Sequence, residues 1–376
     1  MVRAIGVDPG TKSFDICGIE NGRVYYECSI DTIDVMENPQ LLLSSIEKAM
    51  PCKLIAGPSG YGVPLTYLKE IPEDKLEEWY LTHVLLLRED IKKATERGDI
   101  GMMVYSAMTK TAVEMKKRGW PVCYIPGVVH LPSVPEYRKI NKLDMGTADK
   151  MCIAVLGIHD QATEYGIEYD EVSFILVEMG FGYNAVIGVE QGKIVDGIGG
   201  TLGGMGFITL GGVDAELVQL VGVWEKSDIF HGGAYEISGK KTPEELIENL
   251  DDEKCEIAWN ALFEGVIKDV YSMLASVGNP REILISGRMT RIKYVEEQLI
   301  DRLSEVAEVR RIGSIEGAKN IKEAAQGYAM VAEGLAGGCF RELVEWMGIP
   351  QSKHGIIEYV VHPKIESVKR LFDRSY

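Results

Sequence analysis

Two short stretches concentrate the residues able to do chemistry. In "IGVDPGTKSFD" an apolar run ends in Asp8, and Pro9, Gly10, Thr11, Lys12 and Ser13 follow. In "LVEMGFGYNAV" the acid is Glu178, followed by Gly180, Gly182 and Asn184. Glycines let backbone N–H groups approach phosphate oxygens, hydroxyls add donors, and an acid near the bend holds Mg²⁺ through water. Either stretch alone also suits a plain β-hairpin whose glycines permit positive φ, with Asp8 an ordinary turn acid and Lys12 a solvated lysine. Two such bends, one per half of the chain, would grip the phosphates of a nucleotide from both sides of a cleft.

The elements that position these bends follow from pattern. "RAIGVD" and "FDICGIE" read as strands, and "GRVYYECSI" follows after Asn21-Gly22, the strongest short hairpin signal. A helix ("PQLLLSSIEKAM") and a buried strand ("CKLIAGPSG") come next, giving an antiparallel meander that feeds a mixed sheet. Residues 61–100 read as helical and charged, with two early prolines. The amphipathic helix "IGMMVYSAMTKTAVEMKKRG" ends at Gly119 before the strand "PVCYIPG". The helix "TADKMCIAVLGIHDQA" then leads to "VSFILVEMGFGYNAVIGVEQGKIVDG", which repeats the strand–bend–strand opening about 165 residues later and marks an internal duplication. A long helix through "CEIAWNALFEGVIKDVYSMLASVG", the strand "EILISG" and the helical "NIKEAAQGYAMVAEGLAGG" complete the second half.

A chain of 376 residues fits two domains. The formal charge of −17 argues against nucleic acid as a partner, because phosphate backbones demand a basic stripe. No apolar run is long enough to cross a bilayer and no signal peptide is read at the N-terminus, so no membrane partner is expected. Seven scattered cysteines without a CxxC pair point to a reducing, cytoplasmic setting.

The ordered motifs resemble the acetate and butyrate kinases, a branch of the actin-like, sugar-kinase-like ATPases, and look closest to the archaeal proteins classed as predicted butyrate kinases. "VDPGTKSFDICGIENGRV" is similar to that branch's first phosphate segment, "LVEMGFGYNAVIGVEQGKIVD" to its second, and "TLGGVDAELVQLV" to the stretch after it. "EILISGRMTRIKYVEEQL" resembles the adenosine segment and "MGTADKM" the entry into the interdomain helix. The resemblance implies an α/β protein of two ribonuclease-H-like domains with an interdomain nucleotide cleft. The first domain would span residues 1–146 and the second 147–338, with 339–376 packing back on the first. It implies ATP and Mg²⁺ as cofactors and phosphoryl transfer to a small carboxylate, giving an acyl phosphate; a homodimer is compatible with it. Positioning and charge stabilisation are the protein's work in such transfer.

The resemblance assigns roles residue by residue. Asp8 would position hydrated Mg²⁺, with Glu178 facing the metal, and Gly10, Thr11 and Lys12 would line the phosphates. Gly180, Gly182 and Asn184 would form the second clamp, and Ser286, Gly287 and Arg288 would meet the nucleoside. Asp149 is the candidate catalytic acid, although a carboxylate near a helix N-terminus also simply suits the dipole. Arg138 would hold the substrate carboxylate in bidentate fashion, or be a solvated arginine. His130 reads as a polar loop residue.

Four positions depart from the family pattern. Its aspartate after the "PVCYI" strand falls on Ile125, its arginine on Thr209-Leu210-Gly211, its late acidic metal ligand near Asn320 (with Glu316 and Glu323 as shifted substitutes), and a glycine on Arg288. The alternatives to a carboxylate kinase are a non-kinase ATPase switch or activator, and a nucleotide-binding sensor with altered catalysis.

Overall fold

Asn21-Gly22 turns the chain with φ of 48° and 80°, and Gln191-Gly192 does so with 51° and 64°. Positive φ at both central residues is the backbone that matches the twist of paired strands in a two-residue hairpin. The computed structural model, which describes residues 1–97 and 100–372, builds one sheet around each turn. Residues 98–99, at the end of the charged stretch, and 373–376, at the end of the C-terminal segment, lie outside the described residues.

In the first sheet β1 (Arg3–Pro9), β2 (Ser13–Glu20) and β3 (Arg23–Asp31) form the antiparallel meander. β4 (Leu54–Ala56) runs parallel to β1, the two-residue β5 (Thr66–Tyr67) closes the edge, and β6 (Val122–Tyr124) lies between them, in the order β3-β2-β1-β4-β6-β5. In the second sheet β7 (Phe174–Met179), β8 (Asn184–Glu190) and β9 (Lys193–Ile198) repeat the meander. β10 (Glu282–Ser286) and β11 (Glu308–Arg311) add two parallel strands.

Listed outward from the same end, β9-β8-β7-β10-β11 reproduces the order and directions of β3-β2-β1-β4-β6. Even the bulges correspond, at Gly18/Ile19 and Gly188/Val189. The duplication is thus visible in "GIENGRV" and "GVEQGKI", where glycine supplies the bulge and the turn alike.

Two compact units divide the chain: Met1–Leu143 with Thr147–His159 and Ser314 onward, and Asp144–Gly146 with Asp160–Gly313. Residues 147–159 and 314–338, which the sequence pattern assigns to the second domain, therefore group with the first unit. The reason is close packing. Gly6 on β1 lies so near the helix Glu323–Leu335 that a Cβ there would collide with the Ala329 backbone nitrogen and sit 2.6 Å from Tyr328 Cβ. Gly327 on that helix is equally close to the Cys152 carbonyl in the helix Ala148–Tyr165. Within this unit the C-terminal segment is tied down as well. Asn141 N donates to Tyr359 O at 3.0 Å, and Lys139 Nζ lies 4.9 Å from the Tyr359 ring centroid.

Each unit has its own core. In the first, Ile5, Val7, Phe14, Ile16, Ile46 and Tyr124 pack together; in the second, Ile175, Val177, Leu262, Val266, Val270 and Ile285 do so. The helix Glu253–Met273 supplies much of the latter core and starts on Asp252, whose carboxylate accepts from Lys254 N and Cys255 N. Among the described residues no helix is long and apolar enough to cross a membrane. β5 and β11 are not anticipated by the sequence pattern, and "CKLIAGPSG" is strand only over Leu54–Ala56.

Gly6→Ala is expected to lose about 1–3 kcal/mol of stability in chemical denaturation, the usual cost of overpacking. Gly278, whose Cβ would meet nothing within 4 Å, is the control. Equal stability of Gly6→Ala and Gly278→Ala would refute the close-packing account.

Candidate functional site

In the first unit the hairpin register sets Asp8 directly opposite Asp15, so both carboxylates project from the same face of β1 and β2. Both are buried, at 3 % and 2 % exposure. Burying two acids side by side requires a counter-charge, and Lys322 provides it. Its Nζ lies 2.7 Å from Asp15 Oδ2 and 3.8 Å from Asp8 Oδ2, and it donates to Ser13 O at 3.2 Å. The Ser13 hydroxyl donates to Asp15 Oδ2 at 2.8 Å. Thr32 braces the bend between the strands, with its hydroxyl on Gly10 O at 2.8 Å and its N–H on Lys12 O at 3.1 Å. A Cβ on Gly10 would lie 2.5 Å from the Lys322 ammonium and 2.7 Å from Ser13 O, so only glycine leaves this cradle open.

Asp149, in the first turn of the helix Ala148–Tyr165, is the second acid of this unit. Lys150 Nζ pairs with it at 2.7 Å, and the Thr147 hydroxyl donates to its other oxygen. Burial would raise the Asp149 pKa, but the Lys150 charge and the hydrogen bonds from Lys150 and Thr147 outweigh it and hold the group below the usual range. Asp8 goes the other way. Burial pushes it up to about 7; the negative charges of Asp149 and Asp15 add to this, and Lys322 and Lys150 oppose it. The two carboxyl groups are thus driven apart, Asp8 toward the protonated form and Asp149 toward the ionised one.

The second unit assembles a similar bend from mostly uncharged groups. Glu178 and Ser286 are partners in the parallel β7–β10 register, and Asn184 opens β8 opposite Met179. Asn184 Nδ2 donates to Met205 O at 2.9 Å, whereas its Oδ1 and the Ser286 hydroxyl are buried without hydrogen-bond partners among the described residues. A Cβ added at Gly287, which has φ +96°, would lie 2.8 Å from Glu178 Oε1, and one at Gly180 would lie 3.1 Å from it. Gly182 is anchored through its carbonyl, which accepts the Thr209 hydroxyl at 2.8 Å.

The structure thus places Asp8 and Gly10 beside Lys322 and Asp149 beside Lys150 in one unit, and Glu178, Gly180, Asn184, Ser286 and Gly287 in the other. Thr11 and Lys12 sit exposed on the first bend, Lys12 3.9 Å from Asp31. The Arg138 guanidinium lies 5.6 Å from the centroid of the exposed Tyr137 ring. Arg288 is exposed at the start of a 3-10 turn. Of the departures, Ile125 is core, Thr209 fastens Gly182, and Asn320 and Glu316 face outward, paired with Glu27 and Arg23.

Asp15, Lys150 and Lys322 escape the sequence reading. Asp15 is legible as the hairpin partner of Asp8, while Lys322 sits between Asn320 and Glu323, the positions where the family pattern carries its late acid. His130 is also not a loop residue in solvent. It is 2 % exposed, and burial holds its imidazole down to about 4. Buried His83, with neither ring nitrogen hydrogen-bonded, is pushed well below its ordinary value and packs 5.8 Å from the Tyr124 ring.

The Asp8 shift has a sign. The folded protein keeps this proton up to about pH 7, whereas the unfolded chain releases it near the ordinary carboxyl value of 3.8. The resulting penalty is absent below the lower value, grows between the two, and is complete above the upper one. In a metal-free buffer Asp8→Asn is therefore expected to raise the melting temperature at pH 8 and to leave it nearly unchanged at pH 4. A Tm gain equal at both pH values would show that Asp8 is ionised in the fold at low pH.

Compared with curated proteins by sequence, the chain matches none. Compared with solved structures, it is similar to a propionate kinase from Francisella tularensis subsp. tularensis SCHU S4, at TM-score 0.57 and 12 % identity over 88 % of this chain and 98 % of that one. It is similar to acetate kinases from Porphyromonas gingivalis (TM-score 0.56, 14 % identity, 87 % and 98 % covered) and Entamoeba histolytica (0.55, 10 %, 81 % and 86 %). The fold is the two-domain α/β fold of these acetate and propionate kinases. A family profile matches residues 6–362, and the chain belongs to that family, described as "Protein of unknown function (DUF1464)".

Proposed function

We propose that the protein is an ATP- and Mg²⁺-dependent phosphotransferase that acts on a small carboxylic acid of the acetate or butyrate kind and yields an acyl phosphate. One observation carries this reading: the same acid–x–glycine bend ends the first strand of both sheets, at Asp8-Pro9-Gly10 and Glu178-Met179-Gly180. The kinase fold is consistent with it. In this reading the N–H groups around Gly10 to Ser13 take phosphate oxygens. Asn184 Oδ1 and the Ser286 hydroxyl, both lacking partners, take polar groups of the nucleotide.

The donor chemistry suits a hard cation. Asp8 and Glu178 offer carboxylate oxygens, and among the described residues no group of three acidic, histidine or cysteine side chains could hold a metal unaided. Mg²⁺ commonly keeps several waters, so the substrate phosphates would ligate it and these carboxylates would hold it through its water shell. When bound it would neutralise charge on those phosphates. A carboxylate oxygen of the acceptor attacks the γ-phosphorus, and the bond to the β,γ-bridging oxygen breaks with its electron pair leaving on ADP. No proton is transferred in this step, so Asp149 would orient groups rather than act as a base.

A hydroxyl acceptor is the second reading, favoured by the ionised, Lys150-paired Asp149, which would then accept the hydroxyl proton.

The test is transfer of labelled γ-phosphate from ATP–Mg²⁺ to a panel of short carboxylates and hydroxy compounds, with hydroxylamine trapping. A trapped hydroxamate that disappears in Asp8→Ala is the expected result. A label resistant to hydroxylamine moves the assignment to a hydroxyl acceptor. ATP bound or hydrolysed without transfer overturns both in favour of a switch or sensor.

A further inference from the structure

The position of Lys322 bears on how the first bend handles charge. Its ammonium is 2.7 Å from Asp15 and 3.8 Å from Asp8, with Ser13 O at 3.2 Å, and it lies 2.5 Å from the point a Gly10 side chain would occupy. The positive charge is therefore set directly under the bend. It is delivered from a fixed point, because Lys322 is the residue immediately before the helix Glu323–Leu335, which is buried along nearly its whole length. A directly bound Mg²⁺ needs carboxylate oxygens at about 2.0–2.1 Å, and an ammonium already hydrogen-bonded to Asp15 stands in that space.

We propose that Lys322 is a built-in cation of the first bend. It occupies the place beside Asp15 and Asp8 that a directly coordinated divalent ion would take, and it presents its charge to the phosphate chain of a nucleoside triphosphate arriving at Gly10. The bend then holds no divalent ion on its own and acquires one only as a hydrated ion carried with phosphate. The phosphate half of this inference rests on the proposed function; the metal half does not.

Removing the ammonium leaves two buried carboxylates without their counter-charge, a costly state that a small divalent cation relieves. Mn²⁺ is the probe, titrated into the nucleotide-free full-length protein and followed by its electron paramagnetic resonance signal. The wild-type protein is expected to leave the ion free, and Lys322→Met to bind it at least about ten-fold more tightly, while Lys322→Arg behaves as wild type. In a parallel titration Lys322→Met is expected to weaken ATP by about ten-fold or more and adenosine hardly at all.

Stoichiometric Mn²⁺ binding by the wild-type protein that Asp15→Asn abolishes would overturn the inference. So would unchanged Mn²⁺ affinity in a folded Lys322→Met. If Lys322→Met does not fold, the wild-type and Asp15→Asn titrations decide alone, with absence of Mn²⁺ binding by the wild type supporting the inference. If the protein binds no ATP at all, the proposed function fails while the Mn²⁺ titrations still test the built-in cation.

Discussion

Two carboxylates buried face to face across a hairpin are a liability that the surrounding fold must resolve. The β1–β2 register leaves Asp8 and Asp15 no choice but to share one face of the sheet. Their lost hydration, and their repulsion once Asp8 ionises, weigh against the hairpin end unless a cation is held against them. That cation comes from a residue more than half the chain away in sequence, Lys322. The start of the helix Glu323–Leu335 is therefore constrained by charge, and the rest of that helix by the bare backbone of Gly6.

The duplicated sheets make an informative contrast. Glu178 occupies in β7 the place that Asp8 has in β1, but its partner across the second hairpin is Ala185. Ser286 and the Gly287 backbone lie beside Glu178, and Asn184 opens the strand opposite. One architecture thus carries a charged bend in one copy and a largely neutral one in the other. The difference traces to a single cross-strand position.

What the sequence discloses follows the range of the forces involved. The hairpins, both glycine bends and the duplication are local, since turn residues and alternating apolar positions write them within a dozen residues. The α/β fold was legible for that reason. Short edge strands such as Thr66–Tyr67 and Glu308–Arg311 carry too few residues to show a period. The Lys322 contact was out of reach because nothing near a lysine in sequence says which distant acid it meets. The grouping of 147–159 with the first unit was equally hidden: it depends on Gly327 meeting the Cys152 carbonyl, and a glycine inside a helix reads only as a weak helix former.

That glycine contact has a mechanical consequence. The helix Ala148–Tyr165 carries Asp149 in its first turn, and the helix Glu323–Leu335 begins just after Lys322. The two helices touch backbone to backbone at Gly327, and the second touches β1 the same way at Gly6, with no flexible side chain as a cushion. Interiors this dense transmit displacement rather than absorb it. The elements that carry Lys322, Asp149 and Asp8 are therefore mounted on what amounts to one rigid frame.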